Sequence, residues 1–382
     1  MSKEENSSLS EKTEYETHAC DPGTDRPVRI GLTLKSLLID LCIFGAVLTL
    51  TVFMIFRQVS PRSMLHALQS VRTKYIYAGL GMMGIYFLLQ SINIKRLAAV
   101  FEMEVSFRRA LKYALAGFFF SSVTPASTGG KPMQIYYMHR DGYSVSKSTM
   151  ALIYEVMNYE LVMALYASAG FIFRYRQLTE ALGRIRFALI FGITVNIMVV
   201  VMLILSIFSA RTIDRLTGIL VRITSVFARK KAKAMENRIR QTAGNYEACA
   251  VYLKKNRSVM ASTFVIAVFQ LFAMFSIPYF VYLGFGIEAE FGVFEIVALE
   301  AVAYVSLVFL PVPGAIGASE GVFILVFRIV FPAGLVTTAM LLSRCLSYYL
   351  ILMITGLFTA LFSLLRNKRT VSLSGRDQPE AG

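Results

Sequence analysis

The sequence has no tryptophan, only three histidines (His18, His66, His139) and four cysteines, Cys20, Cys42, Cys249 and Cys345. Each scarcity excludes a class of chemistry. Scattered cysteines without a C-x-x-C spacing make neither a disulfide framework nor a zinc knuckle. Three isolated histidines do not make a His-based metal site, so no metal and no cofactor is expected. There is no P-loop, HExxH motif, nucleophile elbow or dinucleotide fingerprint, and no residue is assigned a catalytic role. A cleavable signal is missing too, since residues 1–29 hold seven acids and no apolar core. Long soluble stretches are also missing. The longest runs between apolar spans are 1–35 and 211–257, both too short for a soluble enzyme domain.

What the chain does have is apolar sequence. It is 56% hydrophobic, with a mean hydropathy of +0.59, which places it in the polytopic membrane class. The net charge is +15, but Lys and Arg lie mainly beside the apolar spans. Membrane orientation and anionic headgroups explain that placement better than nucleic acid, and no nucleic-acid partner is expected.

Six segments are long enough to span a bilayer, at roughly 36–56, 75–94, 148–173, 187–210, 258–283 and 335–365. Two further stretches, 107–140 and 293–331, are apolar but broken. In the first, Tyr113–Phe120 is solidly apolar and is followed by Val123-Thr-Pro-Ala-Ser-Thr-Gly-Gly-Lys-Pro132. Eight apolar residues give roughly 12 Å of helix against a hydrocarbon core of about 30 Å. The breakers predict a half-helix, a loop, and a second half-helix from Pro132 to about His139. The second stretch repeats the design, with apolar Ala301–Leu310, then Pro311-Val-Pro-Gly-Ala-Ile-Gly-Ala-Ser-Glu320, then a short run interrupted by Arg328.

The order is span, span, broken hairpin, span, and then the same again. Aligning Pro125 with Pro313 sets Gly129 on Gly317, and Thr149, Glu155 and Tyr159 correspond to Thr338, Arg344 and Tyr348. Three crossings per half invert the second half relative to the first, a recurrent transporter plan. The basic loop supports that topology: residues 211–257 hold twelve Lys/Arg against three acids, whereas 284–292 hold no Lys or Arg. The expectation is therefore a cytoplasmic 211–257, cytoplasmic termini, one hairpin opening from each side, and a multi-pass protein of the cytoplasmic membrane.

The expected fold is all-α polytopic, with two inverted repeats, six full spans and two re-entrant helical hairpins. Residues 1–35 form a cytoplasmic tail and 36–366 the membrane domain. Within that domain, repeat 1 covers 36–174 and repeat 2 covers 187–366, with 367–382 a second tail.

In each hairpin the second half-helix presents its N-terminus at the loop, where phosphate or carboxylate binds readily. The candidate binding residues are Thr124, Pro125, Ser127, Thr128, Gly129, Gly130, Lys131 and Arg140 in the first hairpin, and Pro313, Gly314, Gly317, Ser319 and Glu320 in the second. Gly129 and Gly130 would allow close backbone approach, and Ser319 would cap its helix. The alternative is that both loops are helix breaks packed on neighbours. Intramembrane charges are costly and usually paired, which singles out Glu155, Glu160 and Arg344. Repeat symmetry suggests a Glu155–Arg344 ion pair, either structural or engaged with a proton or headgroup. Glu295 and Glu300, like Arg108, Arg109 and Lys112, are expected at helix starts near the interfaces.

Two signatures resemble a known family: Thr124-Pro-Ala-Ser-Thr-Gly-Gly-Lys-Pro-Met-Gln-Ile-Tyr-Tyr-Met138 with Arg140-Asp-Gly-Tyr-Ser-Val-Ser-Lys-Ser148, and Pro311-Val-Pro-Gly-Ala-Ile-Gly-Ala-Ser-Glu-Gly-Val-Phe323. They are similar to the membrane domain of lysylphosphatidylglycerol synthases/flippases. In two-part members a soluble domain transfers lysine from lysyl-tRNA to phosphatidylglycerol, and the membrane part moves the product between leaflets, giving resistance to cationic antimicrobial peptides. The resemblance implies translocation of a phosphate-bearing, anionic or lysyl-modified phospholipid. Sixteen residues follow Arg366, so the expectation is a stand-alone membrane part. The alternatives are phosphatidylglycerol lysyltransferase activity, alone or with a separate synthase protein, and a non-transporting scaffold.

Overall fold

A computed structural model describes residues 67–124, 127–173, 186–208, 256–287, 290–306 and 317–374. The elements are α1 (Thr73–Val100), α2 (Phe107–Val123), α3 (Gly130–Arg140), α4 (Val145–Phe173), α5 (Arg186–Phe208), α6 (Arg257–Phe275), α7 (Ile277–Gly284), α8 (Val293–Val305), α9 (Ala318–Phe327) and α10 (Val336–Arg344). A π-helical turn, Cys345–Tyr349, joins α10 to α11 (Leu350–Ser374). No strand occurs among the described residues. The protein is an all-α polytopic membrane protein.

Four helical stretches are long and apolar enough to cross a bilayer: Thr73–Val100, Val145–Phe173, Arg257–Gly284 and Val336–Phe362. They match four of the six expected spans. A fifth, 187–210, coincides with the 23-residue α5, and the first, 36–56, lies outside the described residues, as does nearly all of the basic loop 211–257. The outer surface is apolar. Tyr77, Ile172, Phe173 and Leu357 are each about 70% exposed or more, which suits hydrocarbon and would be a liability in water.

Polar side chains turn inward instead. Asn158 on α4 donates to Thr263 Oγ1 on α6 at 3.3 Å, and Tyr166 Oη donates to the Val268 carbonyl at 3.1 Å. Hydrogen bonds between helices are a main source of association where water is absent.

Both broken stretches form helical hairpins. α2 starts at Ser106, whose Oγ accepts from the Arg109 N–H. It runs to Val123, well beyond the apolar core expected at 113–120, and its partner α3 follows at Gly130. The second hairpin pairs α8 with α9. Each hairpin packs against a span from the other half of the chain: α8 lies along α4, and α2 lies along α11. α1 against α6 completes this reciprocal scheme. At the first crossing, Gly170 lets the helices touch, because a Cβ there would sit 2.6 Å from the Ala298 carbonyl oxygen.

Candidate functional site

The first hairpin tip is organised by one hydroxyl. Thr124 Oγ1 donates to the Phe120 carbonyl at 2.7 Å, closing α2. It also accepts the Gly129 N–H at 2.8 Å, opening α3. Ser127, at the tip, has φ +55°. A non-glycine residue in that region costs roughly 1 kcal/mol, which the surrounding contacts must offset.

Gly129 and Gly130 permit a close approach, and the observed approach is to the hairpin's own first arm. A Cβ on Gly130 would lie 1.9 Å from Ser121 Oγ and 2.7 Å from the Gly117 carbonyl oxygen; one on Gly129 would meet Thr124. Further along, the buried Gln134 donates to the Tyr113 carbonyl and fills the space beside Gly117. The two arms are therefore tightly joined through small residues.

Arg140 closes α3. Beyond it, Asp141 accepts from Lys112 and from Tyr113 Oη (2.6 Å for the tyrosine), and Arg109 donates to Tyr143 Oη at 2.9 Å. These bonds tie the return of the hairpin to its entry.

In the second hairpin, Gly317 has φ +89° and is itself the helix cap. The Glu320 carboxylate accepts the Gly317 N–H, Ser319 Oγ at 3.0 Å and Tyr349 Oη at 3.0 Å. Ser319 was expected to cap α9; it instead sits inside the first turn, because the carboxylate one residue on reaches back to the N–H. Pro125, Pro313 and Gly314 lie outside the described residues.

The expected Glu155–Arg344 pair does not form. Glu155 Oε2 accepts from Lys131 Nζ at 2.9 Å, and Gln90 Nε2 approaches Glu155 Oε1 at 3.4 Å. Arg344 Nε lies 3.9 Å from Glu320 Oε1. The physical reason is local. Each half-helix packs its first turn onto the span that follows it, α3 on α4 and α9 on α10, so each charge meets an opposite charge within its own half.

The two pairs have the same spacing and opposite polarity. Lys131 and Glu155 are 24 residues apart, as are Glu320 and Arg344. The cation stands on the half-helix in one case, Lys131, and on the span in the other, Arg344.

Glu160, the second acid on α4, is not left alone: Asn196 of α5 donates to its Oε2. Glu295 behaves as a helix-start residue, its Oε2 accepting the Gly292 N–H at 2.9 Å. Glu300 does not. It stands inside α8 with Oε2 closed from solvent and without a hydrogen-bond partner. Gln90 thus joins the site through Glu155, although it carries no sequence signal beyond polarity in an apolar run. Among the described residues, no group of three His, Cys, Asp or Glu could hold a metal ion.

The model of the lysylphosphatidylglycerol synthase TM region matches residues 37–355, which include both hairpins and all four paired charges. The chain belongs to this family. Among curated proteins, this chain is similar to a UPF0104 membrane protein of Archaeoglobus fulgidus, 22% identical over 291 residues, covering 74% of this chain and 84% of that protein. As a member of this family the chain is a multi-pass membrane protein associated with phospholipid.

Proposed function

We propose that this protein binds the phosphate-bearing headgroup of a phospholipid at its hairpin tips and carries the lipid between leaflets. The observation that supports this best is the pair of half-helix starts inside an apolar bundle, each with an ion pair of its own at Lys131–Glu155 and Glu320–Arg344. Charges are retained in such a setting at considerable cost, and usually mark a path or a binding site. The Lys131 side chain is still 36% exposed, so its ammonium can serve a lipid phosphate as well as Glu155.

On this reading residues 36–366 form the transporting domain. Its two halves are inverted, the termini and the 211–257 loop are cytoplasmic, and the α2–α3 tip is reached from the cytoplasm and the α8–α9 tip from outside. The lipid is anionic or lysyl-modified, and its export to the outer leaflet of the cell membrane raises resistance to cationic antimicrobial peptides. Membership of the lysylphosphatidylglycerol synthase family favours a second reading, lysine transfer to phosphatidylglycerol with a separate synthase protein.

The experiment is a leaflet assay. Purified protein in phosphatidylcholine–phosphatidylglycerol vesicles should expose labelled phosphatidylglycerol to an external quencher faster than empty vesicles. A rate equal to that of empty vesicles, with lysine transfer from lysyl-tRNA in the same preparation, would favour the synthase reading. Neither activity would indicate a scaffold.

A further inference from the structure

The charges around the two tips do not balance. Among the described residues, four carboxylates, Glu155, Glu160, Glu300 and Glu320, share this interior with two cations, Lys131 and Arg344. Lys131 is committed to Glu155 at 2.9 Å. Glu160 holds an amide donor from Asn196. Glu320 holds three donors, the Gly317 N–H, Ser319 Oγ and Tyr349 Oη. Glu300 holds none at Oε2, which is enclosed. An ionised carboxylate without a donor in such a place is strongly disfavoured, and neutralisation is the usual remedy. A carboxyl that carries its own proton needs no cation.

The surroundings show what would follow when that proton leaves. Glu300 lies on α8, with Tyr304 one turn further along. α4 brings Tyr159 and Glu160 toward Tyr304, α9 carries Glu320, and α10 ends at Arg344. α5 contributes no titratable group between 190 and 201, and α6 and α7 carry only Arg257, Tyr279 and Tyr282. α8 packs on α9 and α9 on α10, and across that packing Arg344 is the cation whose field reaches Glu300. Arg344 is held loosely: its Nε stands 3.9 Å from Glu320, beyond hydrogen-bond length, and its guanidinium lies 5.9 Å from the centre of the Tyr348 ring, near the outer limit of a cation–π contact. Glu320 would keep its three other donors if Arg344 moved away. The residue as a whole is half-buried, which leaves a proton access to Glu300.

We propose that Glu300 is a proton-binding site and that Arg344 moves between Glu320 and Glu300 as this carboxyl is protonated and deprotonated. With the proton bound, Glu300 is neutral and Arg344 stays with Glu320, holding α9 to the last span. With the proton released, the Glu300 carboxylate draws Arg344 across, and Tyr349 is left as the remaining side-chain tie between Glu320 and the last span. One proton is taken up and one released per cycle, with no other bond made or broken. The inference rests on the lipid-transport reading for its consequence: a transmembrane proton gradient would drive the α8–α9 tip, while the Lys131–Glu155 tip, whose neighbouring Glu160 already holds Asn196, would follow passively.

Two measurements test it. In the infrared spectrum of detergent-purified protein, the carbonyl stretch of a protonated carboxyl should be present in the wild type and lost in Glu300→Gln, while Glu160→Gln retains it. An unchanged band in Glu300→Gln overturns the proton site whatever the lipid assay shows. In phosphatidylcholine–phosphatidylglycerol vesicles, an imposed pH gradient should change the initial flipping rate of labelled phosphatidylglycerol several-fold in the wild type, and a proton ionophore should abolish the change. Glu300→Gln should show no response to the gradient, as should Glu300→Met, which keeps an apolar side chain of similar size should the amide fold poorly. Wild-type flipping without any gradient response refutes the coupling and leaves the transport reading intact. No flipping under any condition refutes transport, and the infrared band then decides the proton site alone.

Discussion

Lys131→Ala and Glu155→Gln break the same ion pair but should not cost the same. The Lys131 side chain is 36% exposed and that of Glu155 only 5%. Lys131→Ala leaves a carboxylate in a nearly closed site, with Gln90 Nε2 at 3.4 Å as its nearest donor. Stranding one buried partner in this way costs roughly 3–5 kcal/mol. Glu155→Gln leaves an ammonium on a long flexible stem that can turn toward headgroups or water. Its loss should resemble that of an exposed pair, about 0–1 kcal/mol. The readout is the unfolding midpoint of detergent-solubilised protein by fluorescence-detected size exclusion. The midpoint should fall far more for Lys131→Ala, and adding Glu155→Gln to it should restore most of the loss. Equal effects of the two single changes, or a double variant worse than Lys131→Ala, would refute the reasoning. The inverted variant, Lys131→Glu with Glu155→Arg, copies the polarity of Glu320–Arg344 and should retain more folded protein than Lys131→Glu alone.

Other outcomes follow from the hairpins. Gly130→Ala should sharply lower folded yield, because its Cβ would meet Ser121 and the Gly117 carbonyl, whereas Gly321 has nothing within 4 Å. Gly321→Ala on α9 should therefore raise the melting midpoint, by up to about 1 kcal/mol of helix propensity. Ser127→Gly should relieve the positive φ and stabilise by roughly 1 kcal/mol, measured in the same melts; a drop in midpoint would mean that the Ser127 hydroxyl holds the tip. For topology, impermeant thiol labelling of intact cells should modify Glu290→Cys and miss Cys249. External labelling of Cys249 would overturn the inverted arrangement.

Much of the architecture was legible in the chain, because bilayer thickness imposes a length that hydropathy reports directly. Val145–Phe173 and Arg257–Gly284 follow the apolar runs closely. The hairpin breaks were legible as well, since Thr124, Gly129 and Pro132, and Gly317 in the second loop, are residues that end or begin helices for backbone reasons. The pairing of charges was not. Repeat alignment set Glu155 opposite Arg344, but alignment reports equivalent positions, not contacts.

Contacts depend on how a half-helix folds back. α3 returns its first turn to α4, and Lys131 reaches Glu155 before Arg344 can. The same applies to the glycines. Gly130 reads as open backbone in one dimension, and only the packed arm shows that Ser121 and Gly117 occupy the space beside it. Glu300 is the clearest case. In sequence it is one acid near a helix start, but enclosure of its Oε2 without a donor is a property of every helix around α8. Sequence by itself determined what could sit in the membrane, because each residue's transfer cost is its own. Tertiary structure decided which charge answers which, because electrostatic energy belongs to pairs and to the dielectric between them.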